Sequence, residues 1–199
     1  MIRTMQSTIS LLALALLAAG CRDSAAPSNP LAASAATAAT APAESVTLQV
    51  FDYNGIEELI ASKRGKVVVM DAWSTSCPPC LKEFPNLVAM QKKLGRDRLA
   101  CISLSFDYEG IGKPADVRPK VLKFLESQQA TLDNVLCSEE SDVLYRRLKL
   151  TSVPAVFVYD RAGKLVKRFD NEDASTEADA FSYEQVESLV VELLEQPAS

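Results

Sequence analysis

The sequence predicts an α/β fold in which helices flank a mixed central sheet. Three observations support this prediction. Apolar strand-like runs alternate with amphipathic helix-like runs from residue 46 onward. A turn signal at 160–163, Asp-Arg-Ala-Gly, separates two strand-like runs and predicts an antiparallel hairpin. An apolar stripe at helical spacing over 183–194 then predicts a closing helix.

Each element follows from its local pattern. Residues 67–72 form an apolar run broken by Asp71, which is typical of a central strand covered on both faces. Helical spacing predicts a helix at 81–94 that is kinked by Pro85. The glycines and prolines of 107–119 predict a loop. The other predicted elements are strands at 46–50, 99–106, 134–137, 153–159 and 164–169, and helices at 56–62, 120–129, 141–148 (with Ser141 as its N-cap) and 183–194.

The first 45 residues have the pattern of export and tethering. A basic residue and a short apolar run end at Leu17-Ala18-Ala19-Gly20-Cys21, which resembles a bacterial lipoprotein signal. We therefore expect residues 1–20 to be a signal peptide, Cys21 to carry lipid, and 21–45 to be an Ala/Ser/Thr/Pro linker. The alternative is a plain secretory signal cleaved nearby. In either case residues 46–199 are the globular domain, which we expect in the cell envelope on the extracytoplasmic face, where disulfides persist.

Composition excludes several classes of function. The net charge is −5, so the chain has no basic footprint for nucleic acid. Histidine is absent from the sequence, which excludes Cys-His or Ser-His catalytic pairs, histidine metal sites and a Cys-x-x-Cys-His haem attachment. We expect no metal and no cofactor other than a redox-active disulfide.

That disulfide is predicted at Cys77 and Cys80, where a Cys-x-x-Cys motif begins a helix directly after a buried strand. The partial positive charge of a helix N-terminus favours thiolate over thiol. The spacing lets one sulfur attack a disulfide and the other resolve the mixed disulfide. A structural disulfide or half of a zinc site, completed by Cys101 and Cys137, is the alternative. We expect Cys101 to be a small buried core residue, although a Cys101–Cys137 disulfide is also conceivable.

These residues resemble a known family. The order strand, Trp-x-x-x-Cys-Pro-Pro-Cys helix, strand, helix, Val-Pro strand, Asp-x-x-Gly hairpin and helix resembles the thioredoxin fold. The stretch 80–85, Cys-Leu-Lys-Glu-Phe-Pro, is similar to the TlpA/ResA-like membrane-tethered thiol–disulfide oxidoreductases. The helix–strand segment between 106 and 151, before the Val-Pro strand, resembles the insertion of that group.

The resemblance implies a role for each matching residue. Cys77 would be the exposed nucleophile and Cys80 the buried resolving thiol. Asp71 would carry protons to and from Cys80, and Glu83 would tune the thiols. Pro154 would follow a cis bond that places the Val153 backbone beside the disulfide. Residues expected to contact the substrate are Trp73, Pro78, Pro79 and Val153.

Two features of the motif depart from the family pattern or modify it. Ser76 stands where the family usually has tryptophan, and we expect it to open the surface beside Cys77 or to cap the helix. Pro78 and Pro79 remove two backbone N–H groups that could stabilise a Cys77 thiolate. We therefore expect a reductant or mild exchanger rather than a strong oxidant.

The predicted function is reduction of disulfides in envelope proteins, with apocytochrome c among the candidate substrates and a membrane thiol donor as the source of electrons. A thiol peroxidase is one alternative, but it needs a Pro-x-x-x-Thr-x-x-Cys arrangement that is absent around Cys77. A copper-binding assembly protein on the same fold is another. Such proteins use Cys-x-x-x-Cys and a distant histidine, and this chain has neither at that site.

Overall fold

A computed structural model describes residues 45–197 of the chain. The predicted signal peptide (1–20), Cys21 and nearly all of the predicted linker lie outside the described residues. The strands are β1 (Gln49–Phe51), β2 (Val67–Trp73), β3 (Leu99–Ser105), β4 (Asp133–Cys137), β5 (Ala155–Tyr159) and β6 (Leu165–Asp170). The helices are α1 (Tyr53–Ser62), α2 (Pro78–Leu94), α3 (Pro114–Ser127), α4 (Ser141–Leu148) and α5 (Tyr183–Glu195).

The six described strands form one mixed sheet in the order β1-β4-β3-β2-β5-β6. The neighbours β1–β4, β4–β3 and β3–β2 are parallel, whereas β2–β5 and β5–β6 are antiparallel. The predicted mixed sheet and terminal hairpin are thus confirmed. Every residue of β2 is buried, as expected for a strand between two neighbours and beneath two helical layers.

The alternation of side chains along β2 divides the core into two layers. Val67, Val69 and Trp73 belong to a cluster that contains the buried faces of α2, α3 and α5. Val68, Met70 and Ala72 belong to a second cluster, which is covered by α1 and α4. Since side chains two apart on a strand share a face, Asp71 faces the first cluster, beneath α2.

Several predicted boundaries were wrong. Helix α3 begins at Pro114, inside the segment predicted as a loop, because proline at a first helical position loses no helical hydrogen bond. Strand β1 covers 49–51 rather than 46–50, since its pairing to β4 begins at Gln49. Helix α4 has Glu140 rather than Ser141 as its N-cap. The position of Pro85 inside α2 agrees with the prediction. Within residues 45–197, no helix combines the length and apolar character needed to cross a bilayer.

Candidate active site

The two cysteines of the motif lie where β2 gives way to α2. They form a disulfide with their Cα atoms 5.3 Å apart. Cys77 is half-buried at the helix tip, whereas Cys80 is 2% exposed and belongs to the core cluster beneath α2. The predicted difference in exposure is confirmed, and it leaves Cys77 as the sulfur that a protein substrate can reach.

The start of α2 offers the Cys77 sulfur few hydrogen-bond donors. Pro78 and Pro79 occupy the first helical positions and have no N–H. The backbone N–H of Cys80 donates to Cys77 Sγ over 3.3 Å, so Cys77 is itself the N-cap. The expectation that Ser76 caps the helix is therefore wrong: its N–H donates to Ser74 Oγ, and the two hydroxyl oxygens lie 2.9 Å apart.

A cis peptide bond joins Val153 to Pro154, as the resemblance implies. The carbonyl oxygen of Val153 lies 3.6 Å from Cys77 Sγ. Val153 and Pro154 are both partly exposed and lie just before β5. This backbone segment lies beside the disulfide and, within residues 45–197, precedes the strand pairing that begins at Ala155, so an extended peptide can pair with it.

Asp71 is the buried acid below the motif, at 3% exposure. Its pKa is raised from 3.8 to about 7. Burial is the main cause, the hydrogen bond from Tyr183 acts in the opposite direction, and the charge of Glu83 raises the pKa further. Asp71 is thus a carboxyl group that can gain and lose a proton near neutral pH, on the sheet face that Cys80 covers.

Tyr183, the first residue of α5, is the partner of this acid. Its hydroxyl donates to Asp71 Oδ2 over 2.6 Å, and the ring is 6% exposed. Burial and the neighbouring Asp71 charge raise the pKa of Tyr183 well above its usual value, so the phenol stays a neutral donor. The sequence predicts Tyr183 only as a member of the apolar stripe of the closing helix. The one available signal was that a buried tyrosine hydroxyl needs a partner.

Replacing Tyr183 by phenylalanine is expected to move the pH dependence of activity upward by about one unit, because a hydrogen bond to a charged group contributes about 1.5–3 kcal/mol. The change removes the bond that lowers the pKa of Asp71 and keeps the ring that fills the core. Turnover measured from pH 5 to pH 9 checks the shift. Tyr108→Phe, which removes a hydroxyl bonded to Gly112 O, is the control. An unshifted profile in Tyr183→Phe would show that the bond does not set the acidity of Asp71.

A cleft of about 770 Å³ lies beside the redox pair. Four of the predicted site residues line it: Pro78, Pro79, Glu83 and Pro154. The rest of its lining comes from the segment between β6 and α5, including Asn171, Thr176 and Phe181, and from Glu184 in the first turn of α5. Glu83 is half-buried here, and its Oε2 accepts from Asn86 Nδ2 over 2.8 Å. The cleft is large enough to receive substrate side chains next to the reactive cysteine.

The structure contradicts the prediction that Trp73 contacts the substrate. Its side chain is fully buried, with ring centroids 4.9 Å from those of Phe84 and Phe124. Because it lies on the inward face of the central strand, it packs the helices against the sheet. Trp73 therefore supports the position of α2 and does not form part of the substrate surface.

The other two described cysteines are free and buried. Cys101 belongs to the core cluster on one face of the sheet and Cys137 to the cluster on the other. Because the two side chains lie on opposite faces of the sheet, their sulfurs cannot meet, and the Cys101–Cys137 disulfide is excluded in this fold. Burial raises the pKa of Cys101 far above the usual range and that of Cys137 to about 11, so both remain protonated thiols.

Among residues 45–197, no three histidine, cysteine, aspartate or glutamate side chains gather as a metal site would require. Within the same residues, the sulfurs of Cys77 and Cys80 are bonded to each other. The observed arrangement thus combines a reachable sulfur, a buried sulfur and a buried acid whose pKa lies near neutrality.

Comparison with known proteins agrees with this geometry. A model of the AhpC/TSA family matches residues 39–168. The thiol-disulfide oxidoreductase ResA of Geobacillus thermodenitrificans is 29% identical over 119 residues, which is 58% of this chain and 61% of that protein. ResA of Bacillus thuringiensis is 22% identical over 138 residues, covering 69% of this chain and 74% of the relative. The chain therefore matches less than two thirds of the length of the first of these relatives.

Solved structures show the same fold. A thiol-disulfide isomerase from Corynebacterium glutamicum superimposes with a TM-score of 0.54 at 17% identity, covering 78% of this chain and 99% of that one. A thioredoxin-family thiol:disulfide interchange protein from Chlorobium tepidum gives a TM-score of 0.51 at 21% identity, with 67% and 83% covered. The predicted thioredoxin fold is confirmed. The chain belongs to the AhpC/TSA family and, within the thioredoxin fold, is similar to the ResA thiol–disulfide oxidoreductases.

Proposed function

We propose that this protein is a membrane-tethered thiol–disulfide oxidoreductase that reduces disulfides of proteins in the cell envelope. The observation that carries the proposal is the Cys77–Cys80 disulfide at the start of α2, with one sulfur reachable and the other buried. The similarity to ResA supports the reaction class, and the Cys21 pattern supports the tether.

The reaction begins with both cysteines reduced. The Cys77 thiolate attacks one sulfur of the substrate disulfide, forms a mixed disulfide and releases the other substrate sulfur as a thiolate. Cys80 then loses its proton and attacks Cys77 Sγ, which releases the second substrate thiolate and forms the Cys77–Cys80 disulfide. Two electrons pass from the enzyme to the substrate, and a membrane thiol donor restores the dithiol.

Asp71 receives the proton of Cys80 in the resolving step. A pKa of about 7 lets it accept the proton and return it at neutral pH without histidine. Because Asp71 must be ionised to accept a proton, resolution accelerates as the pH rises through this pKa. Glu83, whose charge raises the pKa of Asp71, tunes this step from the wall of the cleft.

The substrate is a protein segment in extended conformation. Its backbone pairs with Val153 before the cis-Pro154 bond, and its side chains enter the cleft lined by Pro78 and Pro79. This arrangement suits partly folded or unfolded substrates, whose disulfides are exposed. Apocytochrome c, oxidised at its haem-binding cysteines, is a substrate of this kind.

An insulin assay tests the activity. The full chain is expected to accelerate the reduction of insulin disulfides by dithiothreitol, followed as precipitation of the freed B chain. A Cys101→Ala/Cys137→Ala variant is the matched control and should keep nearly full activity, because both thiols are buried and protonated. No acceleration by the wild-type chain would refute the proposed reaction. Loss of activity in the control would show that the pair at 77 and 80 is not sufficient.

A further inference from the structure

A second cleft, of about 470 Å³, lies at the end of the sheet opposite the redox pair. It is bordered by Lys66, which directly precedes β2, by Leu99, the first residue of β3, and by the loop before β4. Strand β2 runs from this edge to the active-site end, which at ~3.3 Å per residue places the two sites about 20 Å apart. The cleft is therefore separate from the substrate surface beside Cys77.

This edge concentrates positive charge in an acidic chain. Three cations and one acid line the cleft: Lys63, Lys66 and Arg96 against Asp133. Basic residues offset the dipole of a helix C-terminus within its last turn, and α2 already has Lys92 and Lys93 there. The helix dipole therefore does not account for the basic residues beyond that turn, in a chain whose net charge is −5.

Hydrogen bonds hold two of these cations at the rim of the cleft. Lys66 Nζ donates to Arg96 O over 2.7 Å, which leaves other donors of the ammonium for a ligand. Arg96 Nη2 donates to Thr131 O and Oγ1 over 2.7 and 2.6 Å. Lys63 is paired with Asp133 at 2.7 Å. Lys66 and Arg96 thus lie together at the rim, and ammonium and guanidinium groups are the side chains that bind phosphate oxygens.

A buried polar group supplies an independent observation. Gln91 lines this cleft at 7% exposure, and its Oε1 has no hydrogen-bond partner among the described residues. A buried amide group without a partner is destabilising. Rotation of the amide exchanges its oxygen with its NH₂, so this position can accept from a hydroxyl or donate to a phosphate oxygen of a ligand.

The chain enters the domain at the same place. Ser45 and Thr47 line the cleft, and the segment that precedes Ser45 leads back to Cys21. A tether from a lipid-bearing Cys21 would therefore join the domain at this edge.

We propose that this basic edge docks the domain on anionic phospholipids, with a headgroup phosphate in the cleft between Lys66 and Arg96. The docked domain presents Cys77 and the cis-Pro154 surface away from the membrane, toward protein substrates. The inference uses the tether of the proposed function but does not depend on the redox reaction. Each basic residue near an anionic bilayer strengthens binding about fivefold, so Lys66 and Arg96 together are expected to strengthen it about twenty-fivefold.

Vesicle flotation of the full chain tests the proposal. Vesicles of phosphatidylcholine alone are compared with vesicles containing one quarter phosphatidylglycerol. Three chains are used: wild type, Lys63→Gln/Lys66→Gln/Arg96→Gln, and a control with the same loss of charge at exposed positions of α3 and α4, Lys120→Gln/Lys123→Gln/Arg146→Gln. Residues 1–44 are identical in all three, so their contribution cancels.

Wild type and control are expected to gain at least tenfold in binding from the anionic lipid. The cleft variant should lose that gain and keep its insulin reduction. An equal gain in all three chains overturns the docking proposal. Binding to phosphatidylcholine without an anionic gain also overturns docking but supports the tether. An anionic gain without binding to phosphatidylcholine supports docking and counts against the tether.

Two further measurements test the same proposal. Lys66→Gln alone removes an ammonium that donates to the Arg96 carbonyl in an exposed hydrogen bond, and about a fivefold loss of the gain is expected even if the triple variant unfolds. Inorganic phosphate at matched ionic strength identifies the source of the phosphate. If it raises the melting temperature of wild type but not of the cleft variant, and no vesicle gain is seen, the site binds a free phosphate and the docking proposal is wrong.

Discussion

Replacing Cys77 by serine is expected to reduce insulin turnover to the uncatalysed rate, while replacing Cys80 by serine traps the enzyme on its substrate. Cys77 is the half-buried sulfur at the helix tip, 3.6 Å from the Val153 carbonyl that borders the substrate surface. Cys80 is 2% exposed and can reach only a sulfur already joined to Cys77. The first change therefore removes the attack, and the second removes the resolution of the mixed disulfide.

Mass spectrometry under non-reducing conditions separates these outcomes. After incubation with insulin, Cys80→Ser should carry one insulin chain through Cys77, whereas Cys77→Ser should carry none. The Cys77→Ser/Cys80→Ser double variant is the matched control for adducts at the buried Cys101 and Cys137. A stable adduct on Cys77→Ser instead would reverse the two roles and would mean that the helix tip opens to expose Cys80.

Sequence periodicity was sufficient for the order of the elements and for the face of each one. The run 67–72 showed a central strand, and the structure buries all of β2. Local rules failed where a residue had two possible uses. Pro114 is typical of a loop, but it serves as the first residue of α3. Ser76 has the chemistry of a cap, but the N-cap position belongs to Cys77.

The active site divides in the same way. Cys77, Cys80, Glu83 and the cis bond before Pro154 lie where short motifs placed them. Tyr183 could not be found by spacing, because 112 residues separate it from Asp71 and only the packing of α5 on β2 joins them. The prediction for Trp73 is wrong for the opposite reason: its position near the motif suggests contact with substrate, but the strand directs its side chain into the core.

Asp71→Asn is expected to slow turnover at pH 7 by about a hundredfold and to remove its rise between pH 6 and pH 8, since proton transfer by a positioned group contributes ~10²–10⁴. An amide keeps an acceptor for the Tyr183 hydroxyl but cannot take the proton of Cys80. Stopped-flow measurement of the resolving step across this pH range checks the result. A variant that kept the wild-type profile would show that Cys80 loses its proton by another route.

The same change should stabilise the folded protein, and the pH dependence of that gain identifies its cause. The pKa of Asp71 is raised from 3.8 to about 7 by folding, so the folded protein holds this proton over a range where the unfolded chain has lost it. Below pH 3.8 both states hold the proton, and at pH 4 the cost of ionisation is still small. Above pH 7 folding must bury a carboxylate, at a cost of about 4 kcal/mol for a shift of about three units. Asp71→Asn removes this cost.

Urea unfolding of the oxidised protein measures the difference, because the disulfide keeps Cys80 from titrating. The free energy of unfolding of Asp71→Asn should exceed that of wild type by a few kcal/mol at pH 8 and by little at pH 4. Asp97→Asn, at an exposed loop position, controls for the change in net charge. Equal effects at both pH values would mean that the amide acts through packing. A gain confined to high pH would show that Asp71 is held at a cost in stability, as expected for an acid retained to move protons.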